Sequence, residues 1–286
     1  MPSTIDLRRR IRSVKNTQQI TKAMKMVAAA KLRRAQERMF AARPYAAGLR
    51  EVLASVATRV DLSKHPLLAE REREAKVLLL IVTADRGLCG AFNTNVIRGA
   101  LNAIAEKGWE EIHLLPIGRK ANDFFKRRSL PIRRPATQVF QALSLETARE
   151  IAKSLSEDFI SGELDAVYVI YNEFKSIIAQ RVTLERLLPL QREWADTQTP
   201  AIEYLYSPAP EEILNELLPK HIEFQLYRIL LESAAAEQGA RMTAMESATK
   251  NASEMIDHLT LTYNRIRQAS ITKEIIEIVS GAAAAS

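Results

Sequence analysis

Met245-Glu246-Ser247-Ala248-Thr249-Lys250-Asn251-Ala252-Ser253-Glu254-Met255-Ile256-Asp257-His258-Leu259-Thr260-Leu261-Thr262-Tyr263-Asn264-Arg265-Ile266-Arg267-Gln268-Ala269 is the stretch that decides the fold. Within it Met245, Ala248, Ala252, Met255, Leu259, Thr262, Ile266 and Ala269 follow one another at alternating spacings of three and four. That is a heptad seam, and a seam asks for a partner helix. It lies in a tail, 207–286, where no proline follows Pro219 and only Gly239 and Gly281 interrupt residues suited to a helix. One helix from Lys220 to Ser280 would run about 90 Å at about 1.5 Å per residue, longer than an ordinary domain is wide. The large seam members offer about 1.5 to 3 kcal/mol each if fully buried, a weak core for such a length. The small ones let backbones approach closely, so stiffness is the better supported property.

The partner is available in the same chain. Ser3 to Arg43 holds neither glycine nor proline and is rich in Ala, Lys, Arg, Gln and Met, a helix composition. Leu7, Ile11, Val14, Thr21, Met24, Ala28, Leu32, Ala35 and Met39 mark one stripe, with cations on the other faces. Ala28-Ala29-Ala30 lowers the bulk at mid-helix. Pro44 is expected to kink or end this helix, which resumes with Leu49, Val52, Leu53 and Val56.

Between the two helical ends the period changes. Val77–Thr83 and Ile112–Ile117 read as strands, and Asp165–Tyr171 with Ile177–Leu184 as a hairpin. Asn95–Glu106, Arg119–Arg128 and Ser144–Phe159 read as helices, and Ser207-Pro208 announces the last one. Strands alternating with helices imply an open α/β sheet with an antiparallel edge. The expected fold is a mixed α/β and α+β chain: a long antiparallel two-helix coiled coil from the termini with an inserted, Rossmann-like α/β domain. The segments are 1–60, 61–206 and 207–286. Because the insert returns the chain to its start, the longer tail should in part project alone.

Composition excludes several chemistries. With 47% hydrophobic residues the chain can build a core. Cys89 is the only cysteine, so neither an internal disulfide nor a thiolate cluster is available. His65, His113, His221 and His258 stand too far apart in sequence for helical metal pairing. No apolar run reaches the roughly 18 residues of a membrane helix. The basic N-terminus shows no cleavage-site signature and reads as mature structure rather than a transit peptide. The net charge of +7 is split: residues 1–60 carry 14 cationic against 3 acidic residues, and residues 211–286 carry 7 against 11. The two ends are therefore complementary.

Three candidate sites remain. The turn Asp85-Arg86-Gly87-Leu88-Cys89-Gly90 sits where α/β proteins bind phosphates, yet it lacks a Gly-x-Gly-x-x-Gly or Gly-Lys-Ser/Thr pattern, and Cys89 has no histidine near it in sequence. The basic run Arg8-Arg9-Arg10-Ile11-Arg12, continued by Lys15, Lys22, Lys25, Lys31, Arg33 and Arg34, suits an acidic protein surface, nucleic acid, an anionic membrane, or plain solvation. Base stacking would call for exposed aromatics, and the first aromatic is Phe40. The small, uncharged end from Ile278 to Ser286 is either a frayed terminus or a slim tip inside an apolar sleeve.

Asn16-Thr17-Gln18-Gln19-Ile20-Thr21-Lys22-Ala23-Met24-Lys25-Met26-Val27-Ala28-Ala29 closely resembles the N-terminal helix of the gamma subunits of F-type ATP synthases. Ala240-Arg241-Met242, Tyr263-Asn264-Arg265, Arg267-Gln268-Ala269-Ser270-Ile271-Thr272 and Glu274 through Gly281-Ala282 are similar to that family's C-terminal signature. The turn 85–90 with Phe92-Asn93 also matches, so the resemblance runs through the whole chain in order.

The resemblance implies a central rotor shaft set in a hexamer of alpha and beta subunits, with the insert near epsilon and the ring of c subunits. Such a shaft couples proton-driven rotation of the membrane ring to ATP synthesis or hydrolysis at alpha/beta interfaces. It has no catalytic, cofactor or metal site of its own; ATP, ADP and Mg would bind on alpha and beta. Carried over by position, Met24, Arg241 and Gln268 would contact beta, and Tyr204 the c-ring foot. Ser207 departs from the pattern, where relatives often carry glutamate. With no transit peptide and no chloroplast-type dithiol insertion, a bacterial subunit on the cytoplasmic face of the inner membrane is expected. The alternative from another class is a basic coiled-coil protein that binds nucleic acid.

Overall fold

Two terminal helices and a four-stranded sheet carry the fold of the computed structural model, which describes residues 3–58, 60–62, 65–128, 130–191 and 209–285, with side chains as far as residue 280. In chain order the elements are α1 (Thr4–Ala57), β1 (Lys76–Val82), α2 (Phe92–Lys107), β2 (Glu111–Ile117), α3 (Arg119–Phe125), α4 (Leu145–Ile160), β3 (Ala166–Phe174), β4 (Gln180–Leu188) and α5 (Pro210–Ala285). The chain divides into two compact units, one of residues 1–28 and 242–286, the other of residues 29–241. The division therefore cuts both terminal helices rather than falling at the ends of 1–60 and 207–286. The helical segments on the insert side belong to the same compact unit as the sheet.

In the unit 29–241 the strand order is β2-β1-β3-β4. β1 pairs in parallel with β2 and β3, and β4 closes the edge antiparallel to β3. This is the open sheet with an antiparallel edge that the alternation of strands and helices implied. Every residue of β1 after Lys76 is buried, because a central parallel strand is covered on both faces. Leu78, Leu80 and Val82 face one core with α4 and the inner segments of α1 and α5, whereas Val77, Leu79 and Ile81 face another with α2 and α3. Ser144 caps α4 by accepting a hydrogen bond from the Thr147 amide at 3.2 Å.

Three boundaries differ from the sequence reading, each for a packing reason. Pro44 neither ends nor interrupts α1. Ala42, Ala46 and Leu49 pack against the core on either side of it, so burial offsets the hydrogen bond that the proline removes. α5 likewise passes through Pro219, since Leu214, Leu218 and Ile222 on both sides are buried. The hairpin's second strand starts at Gln180 rather than Ile177; Ile177 lies in the loop, where its carbonyl accepts from the Gln180 amide side chain at 2.9 Å. Ser207-Pro208 lies outside the described residues.

Between His221 and Arg241 no residue of α5 is exposed. A helix enclosed on all sides belongs to a core. Its small residues fit that role, with Ala236 and Ala240 packing on Ala84, Cys89, Phe92 and Phe174. A Cβ on Gly239 would sit 3.4 Å from the Ile177 carbonyl oxygen, so the hairpin loop and α5 nearly touch backbone to backbone.

Candidate functional site

The unit of residues 1–28 and 242–286 is a pair of helices. Arg8 Nη2 donates to Tyr263 Oη at 2.8 Å, the hydroxyls of Thr21 and Thr249 are 2.8 Å apart, and Lys25 Nζ is 2.6 Å from Glu246 Oε1. Partner numbers fall along α5 as they rise along α1, so the pair is antiparallel. The predicted α1 stripe turns inward as a set: Leu7, Thr21 and Ala28 are buried, and Ile11, Val14 and Met24 half-buried.

On α5 the inner stripe keeps six of the eight predicted seam residues and loses Met255 and Ala269. Met245 and Ala252 are buried, and Leu259 and Ile266 half-buried. Ala248 and Thr262 are half-buried too, but Thr249 and Tyr263 make the contacts with α1. Met255 is 53% exposed while Ile256 is half-buried, which corrects the predicted row at this position. Spacings of three-then-four and four-then-three both suit a heptad around the same anchor residues, and the branched Ile256 takes the inner place. Ala269 is exposed for a different reason. With Arg8 opposite Tyr263 and α1 beginning at Thr4, α5 has no partner turn beyond about Arg267 among the described residues.

Past that point α5 presents Ile271, Ile275, Ile276, Ile278 and Val279 to solvent, with Lys273 and Glu277 paired at i,i+4. Gln268 is exposed on the same stretch. Along α1, Arg9, Arg10, Arg12, Lys15 and Lys22 are exposed and make no ion pair among the described residues. Sequence reasoning saw the basic face but not the exposed Ile20, Met26 and Val27 beside it.

In the unit 29–241, Arg241 is turned inward. Its guanidinium donates to Glu237 Oε1 at 2.6 Å and to the Gly87 carbonyl at 3.2 Å, and its side chain is only 12% exposed. Next to it the Cys89 thiol is pushed up by burial, an effect that Arg241 only partly opposes. A thiol held protonated and 1% exposed is a core residue rather than a nucleophile.

The phosphate-like corner is filled by the chain itself. Asp85 Oδ1 accepts from the amides of Arg119 (2.9 Å) and Gln138 (3.1 Å), and Asn93 Oδ1 accepts from the Ala84 amide at 2.9 Å. Gly118 has φ +95°, and a Cβ there would meet the Thr83 carbonyl at 2.0 Å. A glycine-dependent turn thus serves close packing, with an internal carboxylate where an anion would sit.

Among the described residues there is no group of three His, Cys, Asp or Glu side chains placed to hold a metal ion. A shallow cleft of about 230 Å³ is lined by Tyr45, Leu145, Arg149, Lys220, Glu223 and Phe224, with Arg149 already paired to Glu146 and Glu223. No helix among the described residues is long and apolar enough to cross a membrane. Tyr204 lies outside the described residues.

Comparison with known proteins agrees with this geometry. A family model described as ATP synthase matches residues 3–285. The ATP synthase gamma chain of Chlorobaculum tepidum is 52% identical, covering 99% of this chain and 98% of that one. The gamma chain of Solibacter usitatus is 55% identical over the full length of both. Among solved structures, a chain of the central stalk and c-ring of the Tetrahymena thermophila mitochondrial ATP synthase is 29% identical with a TM-score of 0.61, covering 80% of this chain and 99% of that one. A chain of the Euglena gracilis mitochondrial ATP synthase has a TM-score of 0.70 at 22% identity, covers 98% of this chain and 94% of that one, and shares the fold. The chain belongs to the ATP synthase gamma chain family.

Proposed function

We propose that this chain is the central rotor shaft of an F-type ATP synthase, turning inside a hexamer of alpha and beta subunits and bound at its other end to epsilon and the c-ring. The observation that carries the reading is the antiparallel pair of terminal helices, fixed in one register, with α5 continuing alone past the start of α1. A stiff, asymmetric rod acts by presenting different side chains to each surrounding interface as it turns. It needs no reacting group of its own: ATP, ADP and Mg would bind on alpha and beta, and the proton path would run through the membrane ring.

Met24 and Gln268 are assigned to beta contacts; Gln268 is exposed and Met24 half-buried in the helix pair. Arg241 keeps its assignment only if it releases the Gly87 carbonyl, since its donors are now engaged internally. Tyr204 is assigned to the c-ring foot. The location follows from the assembly: peripheral, on the cytoplasmic face of a bacterial inner membrane. The relatives at 52% and 55% identity are gamma chains, and they lend no support to the nucleic-acid alternative. Stoichiometry in affinity purification tests the reading. One copy recovered with three alpha and three beta chains is expected, and a self-associating complex with DNA would refute it.

A further inference from the structure

Within the unit 29–241, α5 lies on the sheet through contacts that mostly carry no direction. Ile222, Leu226, Ile229 and Leu230 share a core with Val167, Val169 and Leu187, and further along Ala236 and Ala240 meet Phe92 and Phe174. Apolar burial is non-directional, and small residues leave a smooth surface, so such an interface resists separation better than it resists sliding or turning about the helix axis.

Arg241 to the Gly87 carbonyl and Glu223 to Arg149 are polar contacts towards the ends of this stretch, and between them a polar cluster ties the helix to the strands themselves. Arg228, on α5, donates from Nη2 to Glu185 Oε1 at 2.7 Å and from Nη1 to Glu232 Oε1 at 3.1 Å. Glu185 is on β4, and its other oxygen accepts from Tyr171 Oη of β3 at 2.9 Å. Both oxygens of Glu185 are thereby committed, one to the helix and one to the neighbouring strand. Tyr171 is 1% exposed, so the carboxylate is held from below by a fixed phenol. Glu232 Oε2 is buried with no hydrogen-bond partner among the described residues, a cost that apolar packing would not carry. This ion pair is only partly buried, with the Arg228 and Glu185 side chains 34% and 27% exposed, so it adds little stability; the best-attested use of a shielded ion pair is to fix register.

We infer that Arg228 and Glu185 form a register pin that fixes the rotation of α5 against the sheet, making Arg228 a positioning residue for torque transfer in the rotor. The inference rests on the rotor reading and deepens it: torque taken up by the α/β unit reaches the shaft only if the helix cannot turn within its seat. An apolar seat with the pin removed should stay assembled and hydrolyse ATP while the seat slips under load.

The test uses the assembled ATP synthase in lipid vesicles, with thermal unfolding, ATP hydrolysis and ATP-driven proton uptake measured on the same samples. In the Arg228→Met, Glu185→Met double variant, hydrolysis should stay within about twofold of the unaltered complex while protons moved per ATP fall about threefold or more. Arg228→Lys keeps the charge but loses the two-pronged fork, and should give a smaller fall. Equal proton uptake per ATP in both variants and the unaltered complex would overturn the pin. So would a fall in uptake matched by an equal fall in hydrolysis, since that reports lost complex. If the double variant does not assemble, Arg228→Lys and Tyr171→Phe decide: reduced coupling supports the pin, and unchanged coupling overturns it. An unaltered, assembled complex that hydrolyses ATP without moving protons would instead count against the rotor reading.

Discussion

Arg8 of α1 and Tyr263 of α5 meet at 2.8 Å, and moving seventeen positions along each helix brings Lys25 to within 2.6 Å of Glu246. The register is thus marked by polar contacts but held by burial. The Lys25 and Glu246 side chains are 38% and 59% exposed, so the pair contributes at most about 1 kcal/mol. Leu7, Thr21, Ala28, Met245 and Ala252 are the closed part of the seam. Stiffness here comes from small residues brought close together rather than from a large core.

The inner row supplies the first prediction. Ile256 is half-buried and Met255 mostly exposed. Ile256→Ala should therefore destabilise the helix pair by about 1 to 2 kcal/mol, roughly half the cost of emptying a full core site, and Met255→Ala by under about 0.5 kcal/mol. Chemical denaturation of the two variants measures the difference. Equal losses would restore the predicted row.

A second prediction concerns acid. His221 is buried beside Arg50 and Arg228, and burial first, then these two cations, lower its pKa to about 4. Its folded value lies below the ordinary 6.5, so the unfolded chain binds the proton more readily. Stability is unaffected above pH 6.5 and falls as pH drops from 6.5 towards 4, by up to about 3 kcal/mol from this residue. His221→Gln should flatten the pH dependence of denaturation in that window. An unchanged slope would show that other groups control it.

Burial of Cys89 gives the third. At neutral pH its thiol is protonated and covered by Phe92 and Ala236. Alkylation by iodoacetamide should be at least about 100-fold slower in the native chain than in the denatured one. Comparable rates would place the thiol at the surface.

Much of this fold was legible in the sequence because periodicity reports burial. The continuous apolar run of β1 and the α1 stripe bury what their spacing said they would bury, and so does the heptad in α5 except at Met255 and Ala269. Local signals failed where tertiary packing overrode them: Pro44 and Pro219 sit inside helices whose neighbouring turns are anchored in the core. The choice between Met255 and Ile256 was not legible, since both follow Ala252 at a heptad-compatible spacing and only the partner helix distinguishes them. Nor was the inward turn of Arg241, whose partner Gly87 is distant in sequence. The Arg228 cluster left no linear trace, because β3, β4 and α5 bring it together from three places.

Charge on α1 carries the last prediction. Arg8 and Lys25 already have partners on α5, so reversing them would disturb the helix pair as well as any outside surface. Arg9, Arg10 and Arg12 are exposed and free of ion pairs among the described residues, which makes them the cleaner probes. If this face meets an acidic partner surface, Arg9→Glu, Arg10→Glu and Arg12→Glu together replace attraction with repulsion while leaving the helix pair intact. Screening sets the form of the result, since the Debye length shrinks from about 30 Å at 0.01 M salt to about 10 Å at 0.1 M. The triple variant should assemble with alpha and beta about tenfold more slowly at low salt, with the deficit narrowing as salt rises. A deficit of the same size at both salt concentrations would mean that the face acts through packing, and no deficit would mean that it is simply solvated.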